Sequence, residues 1–192
     1  MIAVDDGNDP RKRAFVTELA SDRVVYVTGR KRNQERTTNG KSENLNYALS
    51  HIYPMEANED GTPNIPLSEV VCLLDADQTC SRNSFFVTLL TYLDSGDNIG
   101  SALSPQLMYN SNSADIFNHQ NIPFWEKMQP GMDALGFISL TGTNMLIRSR
   151  ALQDCEWFPT DSVTECVTVL SPVICLVRCI DYVTQYSIYL YY

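Results

Sequence analysis

Two aspartates, Asp75 and Asp77, stand one residue apart directly after the apolar run at residues 70–74 in the stretch EVVCLLDADQT. Two carboxylates about 4 Å apart repel each other by on the order of 4 kcal/mol at an effective dielectric constant near 20. A divalent cation removes this repulsion, since Mg²⁺ or Mn²⁺ commonly binds one or two carboxylates and completes its shell with water and substrate phosphates. The pair therefore predicts a metal–nucleotide site. The alternative is a solvated turn in which Asp75 caps the element that follows.

A second acidic pair, Asp5 and Asp6 in the stretch DDG, follows the apolar residues 1–4 in the same way. Here the alternative is a turn before a helix that Asn8 or Asp9 caps. Ligands of open α/β sheets bind beyond the carboxyl ends of the strands. Two acidic loops at two strand ends therefore favour one shared ligand crevice.

Two further stretches carry polar groups that could bind a pyrophosphate or a sugar. Lys41 in NGKSENLN precedes a predicted helix, where a lysine and the backbone N–H groups of the helix N-terminus would neutralise a pyrophosphate. The stretch TGTN at residues 141–144 is a polar turn between apolar segments and would line a sugar or acceptor pocket. A surface lysine and a hairpin turn that needs Gly142 are the respective alternatives.

The elements that carry these residues alternate between strand and helix, which predicts an α/β layered domain. Strands are predicted at 1–4, at 23–28, at 70–74 as a buried core strand, at 98–106, and on both sides of the TGTN turn. Helices are predicted after Pro10, at 43–53, after Ser81, in parts of 113–135 with interruptions at Pro123 and Pro130, and from near Ser149. The helix after Ser81 has an apolar face of Phe85, Leu89, Leu90 and Leu93.

Composition narrows the function classes. The 192 residues carry a net charge of −9, which disfavours a nucleic acid as a partner because an acidic chain repels phosphate backbones. The six cysteines form no CxxC pair, and this favours a reduced intracellular chain over a zinc protein. The N-terminus lacks the pattern of a signal peptide, and no apolar stretch reaches the ~20 residues of a membrane span. The expected location is the cytoplasm.

The C-terminal stretch differs from what precedes it. Residues 167–192 contain no Gly, Asn, Lys or Glu, and five of the ten tyrosines lie there. Their β-branched and aromatic content favours strand.

Six stretches, in order, resemble the cellulose-synthase-like processive branch of glycosyltransferase family 2. They are AVDDGNDP, GKSENLNYAL, VVCLLDADQT, SALSPQLMYN, FWEKMQPGMDALGFISLTGTNMLIRSRAL and WFPTDSVTE, within residues 2–165. The resemblance implies an α/β, Rossmann-like nucleotide-diphospho-sugar transferase fold of the GT-A type. It also implies inverting transfer of a sugar from a UDP-sugar donor to a glycan acceptor, as in a polysaccharide synthase.

The resemblance also implies which residues contact each substrate. On the nucleotide side, Asp5 and Asp6 would contact the uridine, Lys41 the diphosphate, and Asp75 and Asp77 the nucleotide and its Mg²⁺ or Mn²⁺. On the acceptor side, the residues would be Gly142, Thr143 and Asn144.

The sequence departs from the family pattern at both ends. The family has a strand and a helix before DDG, and its general base is the aspartate of a T-E-D motif; here Thr164 and Glu165 are followed by Cys166. The Q-x-x-R-W motif and the membrane helices that place full-length relatives at the cytosolic face of a membrane do not follow. We therefore expect residues 1–166 to be a partial catalytic domain lacking its first strand, and residues 167–192 to be an atypical tail, mistranslated or alternatively spliced.

Two other interpretations stay open. LLDADQT also fits the DxDxT motif of haloacid-dehalogenase-type phosphohydrolases, in which Asp75 would attack phosphorus and Asp77 would act as acid and base. That chemistry needs a later lysine and a second acidic pair, whereas Lys127 is the only lysine after Asp77 and no Asp–Asp pair follows. The third interpretation is a fragment that binds UDP-sugar without turnover, or one that has no function.

Overall fold

The structure is a computed structural model that describes most of the chain. The described residues are 1–5, 7, 9–19, 24–28, 40–52, 70–80, 85–96, 99–108, 112, 114, 121–136, 138–155, 157–160, 176–179 and 188–190. They form a mixed α/β protein with small parallel and antiparallel sheets, which confirms the predicted α/β class. The chain divides into two compact units: unit 1 is Met1–Ile65 with Glu156–Thr168, and unit 2 is Pro66–Cys155 with Val169–Tyr192.

Unit 1 contains a two-stranded parallel sheet and two helices. Strand β1 (Ile2–Asp5) pairs with β2 (Val25–Thr28), and helix α1 (Pro10–Leu19) connects them; α2 (Gly40–Ile52) follows. Asp9 begins α1, because its carboxylate accepts a hydrogen bond from the Arg11 N–H at 2.9 Å. Pro10 suits the first turn, where its missing N–H would have had no partner within the helix. These elements occur where the sequence predicts them.

A side-chain amide connects α2 to the second segment of unit 1. Asn46 Nδ2 donates to the Phe158 carbonyl at 2.8 Å, and the Phe158 N–H donates to Asn46 Oδ1 at 3.1 Å. Both polar groups of the buried Phe158 main chain are thereby satisfied, as they would be in a strand ladder.

Unit 2 is built on two further sheets. Its described elements are β3 (Val70–Leu73), β4 (Gln78–Cys80), α3 (Phe85–Leu93), β5 (Ile99–Leu103), β6 (Gln106–Leu107), a π-helical turn (Phe124–Met128), α4 (Gln129–Ala134), β7 (Met145–Arg148), α5 (Ser149–Asp154), β8 (Leu176–Cys179) and β9 (Ile188–Leu190). One sheet has the order β3-β7-β5-β8 and is antiparallel except for the parallel pair β5–β8. The other has the order β4-β9-β6.

The core of unit 2 lies where α3 covers the larger sheet. Phe85, Leu89 and Leu93 are buried there together with sheet residues that include Ile99 and Leu146. The predicted fourth member of the helix face is wrong, since Leu90 is 39% exposed. At 3.6 residues per turn Leu90 lies about 60° outside the stripe formed by the other three side chains.

The prediction that residues 70–74 form a buried core strand is also wrong. Within the described residues, β3 is an edge strand whose sheet partner is β7. Leu73 is buried, but Cys72 is exposed and Leu74 is 41% exposed. An apolar run does not distinguish a central strand from an edge strand, because the distinction depends on which distant segment pairs with it.

The helical segment that contains Pro130 continues through it, contrary to the predicted interruption. The π-helical turn leads directly into α4, and the Gln129 N–H donates to the Phe124 carbonyl five residues back. Pro130 thus falls in the first turn of α4, where proline is tolerated. The wider π turn resets the hydrogen-bond register immediately before the proline. Pro123, the other predicted interruption, lies at the start of this segment.

The strand predicted before the TGTN turn does not form. Residues 138–140 are irregular, although Ile138 and Leu140 are buried. The backbone of Ser139 is satisfied by the fully buried Gln129, whose Nε2 donates to the Ser139 carbonyl at 2.6 Å and whose Oε1 accepts from the Ser139 N–H at 3.1 Å. One amide side chain therefore takes the place of a neighbouring strand.

In the stretch 167–192 the described residues are strands. β8 pairs with β5, and β9 pairs with both β4 and β6. No helix among the described residues has the length and apolar character needed to cross a membrane.

Candidate functional site

The predicted site residues fall in both units. Unit 2 holds Asp75, Asp77, Gly142, Thr143 and Asn144, and unit 1 holds Asp5 and Lys41. Asp6, Glu165 and Cys166 lie outside the described residues, as does Ser81, the predicted cap of α3.

The two aspartates of DAD lie in the turn that joins β3 to β4. Asp75 is half-buried and Asp77 is exposed. The Gln78 N–H donates to the Asp75 carbonyl at 3.1 Å, which closes the turn around Asp77. The loop follows the carboxyl end of β3, where the sequence predicts it.

The structure brings the TGTN turn against this loop. Strands β3 and β7 are antiparallel with Leu73 opposite Met145, so the residues that follow β3 lie beside those that precede β7. The Asp75 N–H donates to Thr143 Oγ1 at 2.9 Å. Two motifs that are 68 residues apart in the sequence therefore share one side of unit 2.

Gln78 completes the contact, and its role was missed in the sequence. Its Oε1 lies 3.3 Å from the Asp75 nitrogen as a second acceptor for that N–H, and it also accepts a hydrogen bond from the Thr143 hydroxyl. No local signal marks Gln78, because its partner lies 65 residues away.

The 141–144 turn is wound tightly by two residues with left-handed backbone. Gly142 has φ 75° and Asn144 has φ 59°. Glycine adopts this region without strain and asparagine tolerates it better than most residues. Thr141 Oγ1 donates to the Thr143 carbonyl at 3.0 Å across the turn. Thr143, between the two left-handed residues, is directed toward the Asp75 loop.

Asp75 and Asp77 carry the carboxylate oxygens that hard divalent cations prefer. The described residues contain no cluster of three or more His, Cys, Asp or Glu side chains that would ligate a metal. A cation at this loop would therefore have at most two carboxylates from these residues and would complete its shell with water or phosphate oxygens. Mg²⁺ sites that also bind phosphates commonly have this composition.

Asp5, in unit 1, has a different environment. Its carboxylate accepts hydrogen bonds from the Tyr26 hydroxyl at 2.7 Å, the Asp9 N–H at 2.9 Å and Lys12 Nζ at 3.0 Å. The side chain is 11% exposed. The Tyr26 hydrogen bond, followed by those from Asp9 and Lys12, holds the pKa of Asp5 well below its usual range. Asp5 thus joins β1, β2 and α1.

The pKa of Tyr26 is shifted in the opposite direction to that of Asp5. Burial and the hydrogen bond to the Asp5 carboxylate raise the pKa of Tyr26. The Arg13 guanidinium lies 5.6 Å from the centre of the Tyr26 ring.

Lys41 is the second residue of α2, and it is half-buried. The predicted helix forms, but it begins at Gly40 rather than at residue 43, so Lys41 lies in its first turn instead of preceding it. The N-terminus of a helix carries partial positive charge, and an adjacent ammonium group adds to the local attraction for an anion.

The chain has no significant match to any protein-family model or to any curated protein.

Proposed function

We propose that the chain is a nucleotide-sugar-binding domain of the metal-dependent, inverting glycosyltransferase type, with UDP-sugar as donor and a glycan as acceptor. The proposed fold is a Rossmann-like GT-A fold. Asp75 and Asp77 would hold Mg²⁺ or Mn²⁺ on the diphosphate. The order of six sequence stretches along the chain supports this proposal.

The observation that carries the proposal is the hydrogen bond from the Asp75 N–H to Thr143 Oγ1. A transferase needs the donor and acceptor sides of its site within bonding distance of each other. The resemblance assigns the DAD loop to the donor and the 141–144 turn to the acceptor, and the two are in direct contact within unit 2.

In the proposed sugar transfer, each site residue has a specific role. A bound divalent cation supplies charge neutralisation as negative charge grows on the leaving UDP. Asp75 and Asp77 supply its carboxylate oxygens, and the Thr143 and Gln78 side chains hold the main chain of the loop. In unit 1, Lys41 and the first turn of α2 present the charge and the N–H groups that suit a phosphate.

Binding, rather than turnover, is the activity we expect of this chain. Cys166 follows Glu165 where the family resemblance places an aspartate general base. Removing a general base typically costs about 10²- to 10⁴-fold in rate. Transfer of sugar from a UDP-sugar by the purified chain is therefore expected to be weak or absent.

Calorimetric titration of the chain with UDP in the presence of Mn²⁺ tests the proposal. We expect binding that requires the metal, disappears with a chelator and is lost in Asp77→Asn. The matched control is Asp154→Asn, which removes the same charge from an exposed position at the end of α5 in the same unit. That variant should bind as the wild type does.

Two results would contradict the proposal. One is UDP affinity that is the same with and without metal, or the same in Asp77→Asn as in the wild type. The other is hydrolysis of a phosphomonoester that Asp75→Asn abolishes, which would favour the phosphohydrolase alternative.

A further inference from the structure

Thr143 contacts the DAD loop, which carries Asp75 and Asp77, through its hydroxyl group. The side chain is buried, with 4% exposed. Its hydroxyl donates to Gln78 Oε1 and accepts from the Asp75 N–H. A hydroxyl has one proton to donate, and here the fold uses that proton. Thr143 is therefore engaged with the DAD loop, although the family resemblance places it on the acceptor side.

The same contacts determine where the two carboxylates lie. The Asp75 N–H is shared between Thr143 and Gln78, and the Gln78 N–H returns to the Asp75 carbonyl. Both ends of the short turn that carries Asp77 are thus held. A loop that is already ordered loses less conformational entropy when it binds a ligand, so holding the loop raises its affinity.

We propose that Thr143 and Gln78 are positioning residues that couple the 141–144 turn to the affinity of the DAD loop for metal-bound UDP. This inference rests on the proposed function of the loop. As a positioning residue, Thr143 would act through the Asp75 main chain, to which its hydroxyl is hydrogen-bonded. Because coupling between two sites is reciprocal, an acceptor that shifts the turn changes the affinity for metal-bound UDP, and metal-bound UDP changes the affinity for the acceptor by the same factor.

The test uses substitutions that remove or retain the hydrogen bonds. Thr143→Val removes the hydroxyl at nearly constant volume, Thr143→Ser keeps it, and Gln78→Met removes the amide acceptor at similar length. Thr91→Val is the matched control, because Thr91 is an exposed residue of unit 2 whose hydroxyl bonds only within α3, to the Val87 carbonyl at 2.8 Å. Thermal unfolding of each variant checks that it folds. If Thr143→Val does not fold, the test is made with Gln78→Met.

Two measurements are made on each variant. The first is the exchange rate of the Asp75 amide hydrogen without ligand, which should rise in Thr143→Val and stay near wild type in Thr143→Ser and Thr91→Val. The second is the affinity for UDP with Mn²⁺. Loss of a residue that orients a metal ligand typically costs about 10- to 100-fold in metal affinity, and we expect a fall in this range for Thr143→Val and Gln78→Met. The double variant should bind little worse than the weaker single variant, since both act through one network.

The outcomes separate the inference from the function on which it rests. If the wild type binds metal-bound UDP and Thr143→Val binds it equally well, the coupling is refuted and the proposed function stands. If Thr143→Ser loses as much affinity as Thr143→Val, the hydroxyl is not the cause and the coupling is likewise refuted. If the wild type itself does not bind, the proposed function fails and the coupling fails with it.

Discussion

The loops after β1 and β3 have similar sequences, an apolar strand followed by acidic residues, but the structure uses their aspartates in different ways. Asp5 is held through its carboxylate, which accepts hydrogen bonds from Tyr26, Asp9 and Lys12. Asp75 is held through its main-chain N–H by Thr143 and Gln78. The neighbouring Asp77 remains exposed to solvent.

The two loops differ in the elements that follow them and in the side chains that reach them. After β1 a helix begins almost at once and delivers a backbone N–H and a lysine to the Asp5 carboxylate, while β2 supplies a tyrosine hydroxyl. After β3 a tight turn leads into β4, and the Thr143 and Gln78 side chains hydrogen-bond the Asp75 N–H. An acidic residue at a strand end is thus a structural residue in one loop and a candidate ligand in the other.

The largest effect is expected at Gln129. Gln129→Leu leaves the N–H and the carbonyl of Ser139 without their partner, between the buried residues Ile138 and Leu140 that precede the 141–144 turn. An orphaned buried group costs about 1–3 kcal/mol, so we expect a loss of about 2–4 kcal/mol in the free energy of unfolding of unit 2. Urea unfolding followed by fluorescence in a Trp157→Phe background measures this loss, because only Trp125, in unit 2, then remains.

Glu126→Gln, at an exposed site in the same helical segment, is the control for Gln129→Leu and should change little. A loss below about 0.5 kcal/mol in Gln129→Leu, the range of ordinary surface substitutions, would show that the segment does not depend on this amide.

A smaller loss is expected from Asp5→Ala in unit 1. Hydrogen bonds to charged groups contribute about 1.5–3 kcal/mol, and removal of the carboxylate also leaves the half-buried Tyr26 without this acceptor. We expect a loss of about 2 kcal/mol in the free energy of unfolding of unit 1, by that same reckoning. Fluorescence of Trp157 in a Trp125→Phe background reports on this unit. Glu18→Ala on the exposed side of α1 serves as the control, and equal stability of the two variants would contradict a structural role for Asp5.

Acid should weaken unit 1 through the same carboxylate. The pKa of Asp5 is lowered in the folded state from the ordinary value of 3.8, so the unfolded state binds the proton more readily. The stabilisation is fully present above about pH 4 and is lost as the pH falls toward the folded-state pKa. Urea midpoints of unit 1 measured from pH 6 to pH 2 should fall more steeply in the wild type than in Asp5→Asn. If the urea midpoints of the wild type and of Asp5→Asn fell equally with pH, Asp5 would not be the carboxylate responsible.

The smallest effect on stability is expected at Asp77. Its exposed side chain contributes little to packing, so Asp77→Asn should change the free energy of unfolding of unit 2 by less than about 0.5 kcal/mol. The same substitution should abolish binding of UDP with Mn²⁺. If Asp77→Asn destabilised unit 2 by about as much as Asp5→Ala destabilises unit 1, Asp77 would have a structural role like that of Asp5.

Local sequence patterns predicted much of the secondary structure. The capping of α1 by Asp9, the strand before Asp75 and the stripe of Phe85, Leu89 and Leu93 each depend on residues within a few positions of one another. Two predictions failed for local reasons, because Leu90 lies outside the buried stripe of α3 and a π turn precedes Pro130. Two others failed because of tertiary contacts: among the described residues β3 is an edge strand, and the Ser139 backbone is satisfied by Gln129 instead of by a neighbouring strand.

For the candidate site, the sequence by itself determined the residue types, since the acidic loops, Lys41 and the Gly142 turn are visible as patterns. Only the tertiary structure decided which of them meet. The pairing of β3 with β7 places Thr143 against Asp75 and adds Gln78, and the approach of Tyr26 and Lys12 engages Asp5 in the fold. The side-chain types determine which chemistry is available, but the hydrogen bonds that Thr143 makes to Asp75 and Gln78 depend on strand register and topology across 65 or more residues.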